Sequence, residues 1–85
     1  MYRFLRLSEA PEGFRGRVVT IVDVGEAQYK YYNMGFYPGN TVIIVYRGED
    51  TSIIRLGRRV LRVPNNVLEK VLSVEDDEVP IIDWS

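Results

Sequence analysis

The 85-residue chain contains no histidine and no cysteine. Imidazole bases and thiolate nucleophiles are therefore missing, and these are the groups on which much acid–base and covalent catalysis depends. What chemical capacity remains is gathered in three stretches. Tyrosines crowd one segment as Tyr29, Tyr31, Tyr32 and Tyr37. Arginines crowd a second as Arg55, Arg58, Arg59 and Arg62. Carboxylates form a run at Glu75, Asp76, Asp77 and Glu78. Tyrosine and arginine are the side chains that anchor protein interfaces. Arginines beside stacking aromatics also suit nucleic acid, and a carboxylate run attracts hard cations.

Each chemistry can be weighed from residue types. No phosphate-cradling loop, nucleophile elbow or paired carboxylate at a strand end occurs, so no catalytic residue and no enzyme is expected. Transition-metal sites favour imidazole and thiolate, and adjacent acidic residues on a chain end rarely fix a coordination geometry. No metal ligand set and no cofactor is expected. An isoelectric point near 5.4 is a poor footprint for nucleic acid. The Arg55, Arg58, Arg59 and Arg62 hairpin is the alternative site for that class, with edge arginines that discourage strand association as its plain structural explanation. Protein binding is the preferred class, through Tyr29, Lys30, Tyr32 and Tyr37.

These groups need elements to position them. "RGRVVTIVDV" is β-branched and bounded by glycine, which predicts a strand from Arg17 to Val22, apolar on both faces and so central in a sheet. The period then changes: Ala27, Tyr31 and Met34 recur at helical spacing and are expected to face inward. Gly35 stands where a helix ends in a left-handed residue, Phe36 is placed to fold back on the last turn, and Pro38-Gly39 fits the centre of a type II turn. Strands are predicted at Thr41–Arg47, "SIIRLG" and "RVLRVP", the last two joined by a turn at Gly57. Asn65 is placed to cap one helical turn before a last strand, Val71–Val74. The lead-in "LSEAPEG" is expected to hold a single turn capped by Ser8. About five strands and one main helix make a mainly β fold, a small barrel.

Length and composition agree with one small domain, 46% hydrophobic and 27% charged. No apolar run suffices to cross a membrane, and the N-terminal stretch lacks a secretory h-region. The absence of cysteine suits a reducing cytoplasm. Charge is unevenly divided. Residues 1–74 hold all 11 Lys and Arg against seven acidic residues, while residues 75–85 hold five acidic residues and no base. The expected division is a barrel domain at 1–74 and an acidic tail at 75–85. Solvated charge is the simpler account of the tail. Its Ile81, Ile82 and Trp84, however, are apolar enough to add a strand to a barrel edge, in the same molecule or a neighbour.

The pattern resembles the FeoA family, SH3-like domains found beside bacterial ferrous iron transporters. "LSEAPEG" is similar to the family's opening Leu-Ser-x-Leu-x-x-Gly, with Ala10 in place of the second leucine. "GRVVTI" resembles its first barrel strand, and "VLEKVLSV" its closing segment. "YYNMGFYPGNTV" resembles its Leu-x-x-Leu-Gly-Leu/Phe-x-Pro-Gly-x-x-Val/Ile signature, matched at Met34, Gly35, Phe36, Pro38, Gly39 and Val42, with Tyr31 in place of leucine. The resemblance implies a cytoplasmic accessory protein that binds and modulates a FeoB-type transporter with a GTP-binding domain. It implies neither nucleic-acid binding nor membrane insertion. A monomer or weak homo-oligomer is expected. A similar domain also ends some iron- or manganese-responsive repressors, and a detached domain of that kind is the further alternative.

Overall fold

The structure, a computed structural model, describes residues 3–80. In chain order it consists of β1 (Phe4–Arg6), β2 (Arg15–Ile21), a 3-10 turn (Gly25–Ala27) running into α1 (Gln28–Met34), β3 (Thr41–Arg47), β4 (Thr51–Leu56), β5 (Arg59–Pro64), α2 (Asn65–Leu68) and β6 (Val71–Glu75). The strands form one antiparallel sheet in the order β1-β6-β2-β3-β4-β5. It curls around its core as a half-open SH3-like barrel whose edges are β1 and β5.

The mainly β fold with one main helix matches the expectation, with one strand more than foreseen. The addition is β1, which pairs with β6 from Phe4↔Val74 to Arg6↔Leu72. Buried Ser73 secures that pairing, its hydroxyl donating to the Leu5 carbonyl at 2.9 Å. β2 is central, between β6 and β3.

Two irregularities decide which residues face inward. Along β2 the pairing register shifts between Val18 and Thr20. Val18 and Ile21, three apart, therefore both reach the core. Along β3 it shifts between Ile44 and Tyr46. Val42 and Ile44 point inward; strict alternation would send Tyr46 after them and Arg47 outward. The extra residue, Val45, reverses this, leaving Tyr46 exposed and turning Arg47 toward buried Ser52 across the ladder.

The core joins Leu7, Ala10 and Phe14 of the lead-in to Val18, Phe36, Val42, Ile44, Ile54, Leu56, Val63, Leu68 and Val71. Each fully buried large side chain contributes about 1.5–3 kcal/mol. Gly16 must be glycine because a Cβ there would lie 2.3 Å from the Val74 carbonyl oxygen.

Candidate functional site

The helix corner is the first part of the site. α1 ends at Gly35, whose φ of 115° is left-handed. The Phe36 amide donates to the Tyr31 carbonyl and the Gly35 amide to the Tyr32 carbonyl, both at 2.9 Å. This is the Schellman pattern. The contact that accompanies it is the Phe36 ring against Tyr31, centroids 6.1 Å apart. The chain then turns at Pro38-Gly39, closed by the Asn40 amide on the Tyr37 carbonyl at 3.1 Å. Asn40 fixes the corner: its Nδ2 donates to the Gly35 carbonyl at 2.7 Å, and its Oδ1 accepts the Thr41 amide at 3.0 Å. All five signature residues at 34–39 thus have structural roles.

The four residues predicted to meet a partner divide by position. Tyr29 and Tyr37 are 63% and 50% exposed, and Lys30 is also exposed. Tyr32 is half-buried and packs on the core with Tyr31 and Met34. Expected to face outward or sideways, it instead supports Tyr29 edge-to-face, centroids 6.2 Å apart. Ala27 lies in the 3-10 turn, outside that packing group. Burial pushes the Tyr31 hydroxyl above the ordinary tyrosine range, in keeping with its inward position.

The arginine hairpin is less of a unit than its sequence suggests. Residues 55, 60 and 62 lie on the outer face of the sheet, Arg55 paired with Val60 and Ile53 with Arg62. Arg59 reaches the other way, its Nη1 donating to the Met34 carbonyl at the helix end, 3.4 Å away. Cations favour that end of a helix. Arg55 and Arg58 line a groove together with Tyr37, Asn40, Thr41 and Ile43.

Arg47, which the sequence places beside that basic hairpin, belongs elsewhere. Its Nη1 donates to Ser52 Oγ at 3.1 Å and Asn65 Oδ1 at 3.2 Å, its Nε and Nη2 to the Ala10 carbonyl, and its Nη2 also to the Leu7 carbonyl. Desolvation lowers its pKa from the ordinary arginine value. Asn65 is not the helix cap that its sequence position suggests. Pro64 stands at the cap, and the Asn65 Nδ2 donates to the Gly48 and Glu49 carbonyls, both at 2.9 Å.

The acidic tail is the third stretch. Asp76 pairs with Arg17 at 2.9 Å, Arg15 donates to the Val79 carbonyl at 3.0 Å, and Val79 is buried. Ile81, Ile82 and Trp84 lie outside the described residues. Among the described residues no group of three or more acidic side chains is placed to hold a metal ion. No helix there is long and apolar enough to cross a membrane.

Comparison with known proteins follows from this geometry. No curated protein matches the sequence. A solved structure described as an iron uptake regulatory protein (FeoA) superposes with a TM-score of 0.78 at 26% identity, covering 86% of this chain and 99% of that one. The FeoA of Stenotrophomonas maltophilia, crystallised with zinc and described as a prokaryotic SH3 domain protein, gives a TM-score of 0.70 at 19% identity over 81% of this chain and 88% of that one. A manganese-dependent transcriptional repressor shares the fold alone, with a TM-score of 0.76 at 13% identity over 88% of this chain and 43% of that one. Residues 5–75 match the FeoA domain, so the chain belongs to the FeoA family of ferrous iron transport accessory domains.

Proposed function

We propose that the protein is a non-enzymatic accessory component of ferrous iron transport that docks on the cytosolic GTP-binding part of a FeoB-type transporter. The family supports the transport role. The S. maltophilia relative is itself described as a candidate ferrous iron transport activating factor. The observation carrying the docking reading is the pair Tyr29 and Tyr37, large, exposed and held on either side of a rigid, hydrogen-bonded corner. A preorganised aromatic surface loses little side-chain freedom on binding. Lys30 adds a charge beside Tyr29.

The test is capture of the soluble GTP-binding domain of the transporter on immobilised full-length chain. Wild type should bind. Tyr29→Ala with Tyr37→Ala should weaken binding about tenfold or more, while leaving the unfolding midpoint unchanged because both rings are exposed. Wild-type-like capture by the double variant would overturn the surface, and no capture by wild type would overturn the partner.

A further inference from the structure

Ile43 and Val79 are buried in the wrong place. Both are almost inaccessible, at 8% and 2% exposure, yet neither belongs to the core cluster. Ile43 lies on the outer face of β3, because its neighbours Val42 and Ile44 point inward. Elsewhere on the outer side of this sheet apolar residues stand open: Val45 is 49% and Val60 65% exposed. Ile43 and Val79 line one groove with Tyr37, Thr41, Arg55 and Arg58.

The segment carrying Val79 reaches this groove by a defined route. The Asp76 amide extends the β2–β6 ladder by donating to the Arg15 carbonyl at 3.0 Å. The chain then turns, closed by the Val79 amide on the Asp76 carbonyl and by the Glu78 amide on Asp76 Oδ1. Three handles hold it on the barrel. Arg17 Nε grips the Asp76 carboxylate, with its Nη1 anchored on the Gly39 carbonyl. Arg15 Nη1 takes the Val79 carbonyl. The valine side chain fills the groove beside Ile43.

These are the contacts by which a basic sheet face recognises an extended acidic peptide: a carboxylate, a main-chain carbonyl and one apolar anchor. The ion pair is partly exposed to solvent, and such pairs exchange at little cost. Charge complementarity runs the same way, since every base in the chain lies within residues 1–74 and residues 75–85 carry only acids. We propose that the outer face built by Arg15, Arg17 and Ile43 is a binding site for an extended acidic segment of a partner protein, one bearing a valine-sized side chain three residues after a carboxylate. Residues 76–80 of the chain occupy that site as a tethered competitor. The tail therefore sets the threshold at which a partner binds. An occupant on so short a tether has an effective concentration in the millimolar range. The inference stands apart from the docking of the helix corner and does not need the FeoB assignment.

The test uses the full chain and a fluorescein-labelled peptide of sequence EDDEVPIIDWS, identical to residues 75–85, with a scrambled peptide of the same composition. The release variant Asp76→Asn with Val79→Asp should bind the true peptide at least tenfold tighter than wild type, with affinity falling as salt rises. Adding Arg15→Ala and Arg17→Ala to the release variant should remove that binding. Unchanged affinity on release, or equal binding of the scrambled peptide, would overturn the proposal. If the release variant unfolds, saturating wild type with the peptide should shift the Ile43 methyl and Arg17 Nε resonances, and silence there overturns it equally. A wild-type dimer in solution that dissociates on removal of residues 76–85 would overturn the tether within one molecule, placing each tail on a neighbour.

Discussion

Arg47 Nη1 and Asn65 Oδ1 lie 3.2 Å apart, and this contact joins the lead-in, the β3–β4 loop and the start of α2. Arg47 reaches back to the Leu7 and Ala10 carbonyls; Asn65 reaches forward to those of Gly48 and Glu49. Ser52 sits between them, its hydroxyl donating to Asn65 Oδ1 at 2.7 Å. The guanidinium is matched by neutral oxygens rather than by a carboxylate, so what it supplies is geometry: five N–H donors in a plane.

Replacing Arg47 with Ala leaves several carbonyls without a donor. The expected loss is about 2–3 kcal/mol, which for a domain of this size lowers the melting temperature by roughly 10 °C or more. Arg47→Lys keeps the charge but not the fork, and should recover less than half of that loss. Asn65→Ala should cost about 1–3 kcal/mol, and the two substitutions together should cost less than the sum of the singles, since they dismantle one network. Urea unfolding of the three variants checks this; strict additivity, or a fully stable Arg47→Lys, would show that the contacts act separately or not at all.

Two glycines should fail for different reasons. Gly35→Ala meets a left-handed φ, worth about 1–2 kcal/mol, and brings a Cβ to 2.9 Å from a Leu56 methyl that can shift. Gly35→Asn should cost less, because asparagine tolerates that conformation. Gly16→Ala drives its Cβ into the Val74 carbonyl, which cannot move without breaking the β2–β6 ladder. The expected order of destabilisation, read from unfolding midpoints, is Gly16→Ala, then Gly35→Ala, then Gly35→Asn.

The helix corner was legible because each of its steps has a local cause: a glycine stop, an aromatic that folds back, a Pro-Gly turn. β4, β5 and β6 were legible from alternation and turn residues. β1 was not, since three residues carry no period and their pairing is with a strand almost seventy positions away. Arg47 was misplaced for a different reason. The β3 bulge at Val45 falls within "VIIVY", an unbroken apolar run whose composition does not distinguish one face from the other. Asn65 has the residue type and the position of a helix cap, and only the folded loop at Gly48 and Glu49 supplies the carbonyls that its side chain prefers. The tail's charge was visible, but charge alone cannot separate a solvated end from a segment laid across two arginines.

Asp76 supplies a pH prediction. The Glu78 backbone N–H, and after it the Arg17 side chain, hold its carboxyl below the usual aspartate range. A folded pKa depressed in this way means that the ionised form favours the docked tail. Its contribution is complete above the unfolded aspartate value, near 4, and is lost as pH falls through the lower folded value. At neutral pH the tail contact is therefore insensitive to pH, and it loosens only in strong acid. Carboxyl NMR titration should show Asp76 protonating after the exposed carboxylates. Arg17→Ala should raise its midpoint only part of the way to normal, because the larger cause is the Glu78 amide. Full normalisation by Arg17→Ala would mean that the ion pair, rather than the turn, organises the tail; an ordinary midpoint in wild type would mean that residues 76–79 do not hold this turn in solution.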